Sequence, residues 1–209
     1  MTFSIVARDP KTKALGVSVS TAVPAVGSVV PHVEAGVGAV ATQAQTNVLY
    51  GIEGLKLLKA DLSPQTALET ILQRDIDREK RQVIIIDAQG RTDAFTGREN
   101  IEWKGHMVGK DCAVAGNMLA GSRVLEAMIE TFEATKGKLA ERLLKALEAG
   151  QEAGGDKRGQ ISAALLVAGE QWISETRPVL NLRVDAHQDP IKELRRIYTV
   201  SMDYFQISE

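Results

Sequence analysis

The amino-acid sequence predicts an α+β fold: a four-layer αββα sandwich of two mainly antiparallel sheets with helices outside. Three observations carry this. Strand-like runs come in blocks, each followed by helical runs, with no regular strand-helix alternation. Successive strands are joined by short turns, which makes them antiparallel. Several strands are apolar at consecutive positions, most plainly Val83-Ile84-Ile85-Ile86, so both of their faces need cover. A single mixed sheet with helices on both faces meets the same requirement and stands as the alternative.

In chain order, Phe3 to Arg8 and Leu15 to Ser20 form a hairpin across Asp9-Pro10-Lys11-Thr12-Lys13, where proline sets φ and aspartate caps its own backbone. In the second strand Leu15, Val17 and Val19 share one face. Gly16, Ser18 and Ser20 give the other face a small-residue surface that suits a ligand or a closely packed sheet. Val26 to Val30 and Gly36 to Gln43, rich in Val, Ala and Gly, read as two more strands. Helical spacing follows Asn47, with Ile52, Leu55 and Leu58 on one side. Ser63-Pro64 opens a second helix whose buried stripe is Ala67, Leu68, Ile71 and Leu72. Strands return over Gln82 to Asp87 and Thr92 to Thr96, joined by Ala88-Gln89-Gly90, and again over Asp111 to Gly116. Two helices follow, one with the stripe Val124, Leu125, Met128, Ile129 and Phe132. The other carries Leu139, Leu143, Leu144 and Leu147, with Gly150 as its stop. Gly154 to Gly159 is a loop, and Ile161 to Ala168 and Val179 to Asp185 are the last strands. Asp189-Pro190 caps a final helix with Ile191, Leu194, Ile197 and Tyr198 inward.

The 209 residues suit one domain, residues 1–209, large enough for a sizeable core. With 25 basic against 27 acidic residues and no block of like charge, neither nucleic acid nor a membrane surface is an expected partner. The run Arg78-Glu79-Lys80-Arg81 reads as a solvated loop. No apolar run is long enough to span a bilayer, and the start lacks a basic region followed by a long apolar stretch, which predicts a cytoplasmic protein. A single cysteine, Cys112, agrees with a reducing compartment. His32, His106 and His187 have no metal-ligand spacing, so no metal or other cofactor is expected. Trp103 and Trp172 form no stacking ladder and read as core or interface. The low-charge stretch from Thr21 to Gln43 suits either self-association into a homo-oligomer or a buried core.

The chemistry centres on Thr2, at the start of the first strand. Once Met1 is removed, its hydroxyl is a nucleophile and its own α-amine, with a reference pKa of about 7.7 to 8.0, is a general base. The competing reading is a β-branched residue that simply suits a strand. Gln43 and Asn117 carry amide groups at strand ends, where they suit donation to an oxyanion; for Asn117 a left-handed turn is the alternative. Thr42 and Asn47 suit either substrate binding or helix capping. Arg8 suits a substrate carboxylate or a hairpin ion pair. Arg158, Gln160 and Ser162 flank a strand start where a guanidinium suits an anionic group, against an ion pair with Asp156. Cys112, among Ala and Val, reads as a small buried hydrophobe.

The opening Thr2-Phe3-Ser4-Ile5-Val6-Ala7-Arg8-Asp9-Pro10 resembles that of a bacterial family known as domain of unknown function 1028. So do Gly36 to Gln43, Tyr50 to Leu55, Arg81-Gln82-Val83, Ala115 to Leu119, Gly155 to Ala164 and Asp189-Pro190-Ile191. The resemblance covers essentially the whole chain. It implies membership of the N-terminal nucleophile hydrolases, with their αββα sandwich and a Thr, Ser or Cys nucleophile on the first strand. Proteasome-type members also use an early lysine, whereas this chain has none between Lys13 and Lys56. Two functions follow as expectations. One is a threonine amidohydrolase cleaving a small or peptide-like substrate through an acyl-enzyme at Thr2. The other is a non-catalytic small-molecule-binding or assembly protein on the same sandwich.

Overall fold

The computed structural model describes residues 2–169 and 179–207; Met1 and Trp172 lie outside the described residues. Strands β1 (Thr2–Arg8) and β2 (Leu15–Thr21) form the expected hairpin, with Asp9 Oδ1 accepting from the backbone N–H groups of Lys11 and Thr12 at 2.7 and 3.1 Å. Then come β3 (Pro31–Glu34), β4 (Gly38–Ala44), α1 (Val48–Lys59), α2 (Pro64–Gln73), β5 (Arg81–Asp87), β6 (Thr92–Thr96), β7 (Gly105–Gly109) and β8 (Cys112–Asn117). The chain continues through α3 (Arg123–Ala134), α4 (Leu139–Glu152), β9 (Ser162–Ala168), β10 (Val179–Val184) and α5 (Pro190–Ile207).

One sheet has the order β10-β9-β2-β1-β8-β7 and the other β3-β4-β5-β6, with every neighbouring pair antiparallel. They pack face to face over Val6, Leu15, Val17, Val19, Ala39, Ala41, Ile84 and Ile86. Helices α3, α4 and α5 cover the larger sheet through Phe3, Ile5, Leu143, Leu147 and Leu194. Helices α1 and α2 cover the smaller one through Val40, Val83, Ile85, Leu68 and Ile71. This is the four-layer αββα sandwich. It decides against the single mixed sheet, because the consecutive apolar residues of β5 divide between the inter-sheet layer (Ile84, Ile86) and the helical layer (Val83, Ile85).

Several local expectations are corrected. Val26–Ser28 is a 3-10 turn and the strand begins only at Pro31; Ala25 is left-handed at φ 57°, and Ser162 Oγ accepts from Val26 N at 3.1 Å, which bends the chain there. Gly16, Ser18 and Ser20 face neither ligand nor sheet. Ser18 Oγ donates to Leu143 O at 2.9 Å, and a Cβ on Gly16 would come within 2.6 Å of Leu143, so this surface seats α4. Helix α1 buries Tyr50, Gly51, Gly54 and Leu58, while Ile52 is exposed: a Cβ at Gly51 would collide with the His32 ring at 2.2 Å, so the glycines permit the close approach. Gly150 does not stop α4 but lies inside it, packed against Met128 and Phe3. Strand β7 was not expected at all.

The turn after α2 is held by one carboxylate. Asp75 accepts from Arg81 Nε at 2.8 Å, from the Tyr50 hydroxyl at 2.9 Å and from Asp77 N at 2.8 Å. The Arg81 bond, more than the others, holds its carboxyl well below the usual carboxylate range. A group whose folded pKa is depressed contributes stability above its unfolded pKa and loses it as pH falls through the folded one. Asp75→Asn should therefore cost about 1–3 kcal/mol at pH 7 and flatten the acid limb of a thermal-midpoint series run from pH 7 to 3. Identical acid limbs in the two proteins would refute this role.

Candidate active site

Alternation along β1 sends Phe3, Ile5 and Ala7 toward the helices and Thr2, Ser4 and Val6 toward the other sheet. Since β1 is central, Thr2 has a neighbour on each side: Thr21 of β2 and Asn117 of β8. The Thr2 and Thr21 hydroxyl oxygens lie 3.1 Å apart, and Thr2 is buried. Opposite this row the smaller sheet presents Gln43, Gln82 and Thr96, paired side by side across β4, β5 and β6. Side-chain bonds join the two rows. Ser4 Oγ donates to Gln43 Oε1 at 2.6 Å, and Gln82 Oε1 accepts from Gln43 Nε2 at 2.8 Å and from Asn117 Nδ2 at 2.9 Å.

At this end of the sandwich opens a cleft of about 490 Å³ lined by Ala44, Gln45, Lys80, Glu99, Asn100, Ile101, Asn117, Met118 and Arg158. Two of its residues, Ala44 at the end of β4 and Met118 just after β8, are in the left-handed region at φ 70° and 56°, a conformation that costs a side-chain-bearing residue about 1–2 kcal/mol. The chain is turned out around the cleft at both points. Lys80 is tied to Asp77 by a bond of 2.7 Å, which raises its pKa and keeps it cationic. Arg158 lies 3.4 Å from the buried Asp156 carboxylate. The loop carrying both is fastened to the end of β8, with Ala120 N donating to Gly155 O at 3.1 Å.

The structure thus brings Thr2, Asn117 and Gln43 to one end and sets Arg158 on the same cleft. Ser162 stands in the same row as the partner of Thr21 across β9 and β2, whereas the other candidates serve elsewhere. Arg8 ends β1 at its far end, six residues or roughly 20 Å from Thr2, where Nη1 pairs with Asp111 at 3.2 Å. Thr42 lies on the face of β4 away from Gln43 and donates to Asn47 O at 3.1 Å. Asn47 caps α1, its Oδ1 accepting from Leu49 N. Ser162 spends its hydroxyl on the backbone, donating to Val23 O at 2.6 Å and accepting from Val26 N. Gln160 turns its Nε2 toward Gly155, where an added Cβ would come within 2.6 Å. Gln43 is buried with both ends of its carboxamide bonded, so it supports the site without lining the cleft.

The model of a family of unknown function, DUF1028, matches residues 2–194. The chain belongs to this family. A second member, protein SPO2555 from Silicibacter pomeroyi, has a crystal structure that superposes with a TM-score of 0.89 at 37% identity, covering 96% of this chain and 85% of that one. Anbu (ancestral beta-subunit) from Yersinia bercovieri aligns at 9% identity with a TM-score of 0.40, over 99% of this chain and 97% of that one. No curated protein matches.

Sequence reasoning missed Ser4, Thr21, Lys80, Gln82 and Thr96 in this DUF1028 member. A signal existed for Gln82: it stands at the end of an apolar strand that pairs antiparallel with the strand ending in Gln43. Lys80 was hidden in a run read as a solvated loop. Among the described residues no group of three or more His, Cys, Asp or Glu comes together as a metal site, and no helix is long and apolar enough to cross a membrane. Cys112, the other nucleophilic type, is fully buried, and burial followed by the nearby Glu133 pushes its thiol up to about 12. Its alkylation by iodoacetamide at pH 8 should therefore track global unfolding; rapid labelling of the native protein would show that the thiol opens locally.

Proposed function

We propose that this chain is an N-terminal-threonine amidohydrolase that becomes competent when Met1 is removed. The observation that carries the reading is Thr2 itself: its hydroxyl faces the inter-sheet space at the end of central strand β1, beside Asn117, which lines the cleft. Thr2 Oγ attacks the substrate carbonyl and the α-amine of the same residue takes the proton. The O–C bond forms, the amide C–N bond then breaks, and the leaving amine departs with that proton. Water afterwards hydrolyses the ester and restores Thr2. The Thr21 hydroxyl holds the nucleophile's rotamer, and Asn117 supplies its remaining N–H to the oxyanion. Lys80 and Arg158 favour a substrate with an anionic group, either a small amide or a peptide-like compound.

A specific feature favours the second reading, a non-catalytic binding protein: no lysine occurs between Lys13 and Lys56, and the lysine on the cleft is held by Asp77. Intact mass and N-terminal sequencing of protein from its native cells separate the two. A chain that begins at Thr2 and gains the mass of a β-lactone on that residue supports the hydrolase. A chain that keeps Met1 in those cells, or a processed chain that takes no label, leaves the binding reading.

A further inference from the structure

Gln82 is fully buried at the start of β5, and its surroundings permit only one orientation of its carboxamide. Its Nε2 lies 3.0 Å from the backbone carbonyl oxygen of Gly105, 2.8 Å from that of Gly116 and 2.9 Å from the Thr96 hydroxyl. A backbone carbonyl can only accept. Turning the amide over would set its oxygen against two carbonyl oxygens in a fully buried site, so the nitrogen must stay where it is.

The consequence passes along the bonds. With Nε2 so placed, Gln82 Oε1 must receive hydrogens, and it takes one from Gln43 and one from Asn117. Asn117 is thereby compelled to turn its nitrogen, not its oxygen, toward Gln82. One hydrogen of that nitrogen is used there, which leaves the other to donate on a residue that lines the cleft and is paired with Thr2. Gln43, held the same way, presents its oxygen to Ser4. Two carbonyls of the main chain therefore decide which end of each amide faces which neighbour.

We propose that Gln82 is a positioning residue: it touches no substrate, and it keeps the nitrogen end of Asn117 directed as oxyanion donor beside Thr2. This rests on the hydrolase reading above. In the Gln82→Met variant Asn117 loses its acceptor and turns freely between two ends, so the donor is present only part of the time.

The test uses protein processed to Thr2 and a β-lactone, whose ring opens on attack so that the acyl oxygen passes through the same oxyanion. Labelling of Thr2 is followed by mass and resolved into a binding constant and a maximal rate. Gln82→Met and Asn117→Ala should each lower the maximal rate about a hundredfold with little change in binding, and the double variant should fall no further. Gln82→Glu adds a signature that packing alone does not give. Protonated, its carboxyl donates to one carbonyl and still accepts from Asn117; ionised, it sets an oxygen against both carbonyls. Its labelling rate relative to the unmodified protein, whose own rate rises as the α-amine loses its proton, should fall as pH rises.

An unchanged maximal rate in Gln82→Met, additive losses in the double variant, or the unmodified pH profile in Gln82→Glu each overturn the assignment while leaving the hydrolase intact. Should Gln82→Met not fold, Asn117→Ala alone still decides, because a wild-type rate there removes the donor that Gln82 is said to hold. Failure of the unmodified protein to label at all overturns the hydrolase reading and this assignment with it.

Discussion

The Thr2→Ala variant takes no acyl group from a β-lactone and turns over no amide, a loss of at least about 10³-fold, while it stays folded. The change removes the attacking atom and little else. Among the described residues the hydroxyl makes one bond, to the Thr21 hydroxyl at 3.1 Å, so its deletion costs on the order of 1 kcal/mol, a shift of a few degrees for a chain of this size. Thr2→Ser retains the hydroxyl and the amine and should keep measurable labelling. Intact mass after incubation, with a melting curve on the same samples, reads both quantities. Equal labelling of Thr2→Ala and the unmodified protein would falsify the assignment of the nucleophile.

Phe3→Ala should cost about 3–5 kcal/mol, the largest single loss of stability expected here. The ring is fully buried on the opposite face of the same strand, among residues of α3 and α4, and it lies against Gly150, which has no side chain to fill the space left behind. Phe3 anchors the strand end that also carries Thr2, alongside the pairing of Thr2 with Thr21 and Asn117. Labelling of Thr2 should therefore weaken even at temperatures where Phe3→Ala remains folded. Urea unfolding measures the first effect. A loss below about 1 kcal/mol would mean that the core collapses onto the missing ring and that the strand end needs no such anchor.

The four layers were legible because strands such as β5 carry apolar side chains on both faces, which one wet sheet could not cover. Strand β7 escaped notice because Gly105 to Gly109 alternates half-buried with exposed positions at a sheet edge, with glycine at both ends and no apolar run. The place of Thr2 at the start of a strand could be read directly, since it needs only that strand and its first residue. Its companions could not. Thr2 meets Asn117 through a strand pairing between distant parts of the chain, and nothing local to either residue announces it. Arg8 was drawn into the site by its nearness in sequence, although extended backbone carries each residue about 3.3 Å further from Thr2. Thr42 and Asn47 proved to be a loop contact and a helix cap, the plain roles that a strand end before a helix most often needs. Gln82 stands at the start of an apolar strand, and only the second sheet lying over it makes a single glutamine the meeting point of four other strands, β4, β6, β7 and β8.

The two sheets also differ in how they are threaded. The smaller is a meander, each strand hydrogen-bonded to the next in sequence, so a growing polypeptide can complete it from one continuous segment. The larger inserts β1 between β2 and β8 and sets β2 against β9, so its closure waits for residues far downstream and pays the entropy of long loops before any reward arrives. Strand β1 thus gains its second neighbour only when β8 has been made. The strand end that carries Thr2 lacks its second partner until residues past the middle of the chain have been made, and no contiguous half of the chain holds Thr2, Asn117 and Arg158 together.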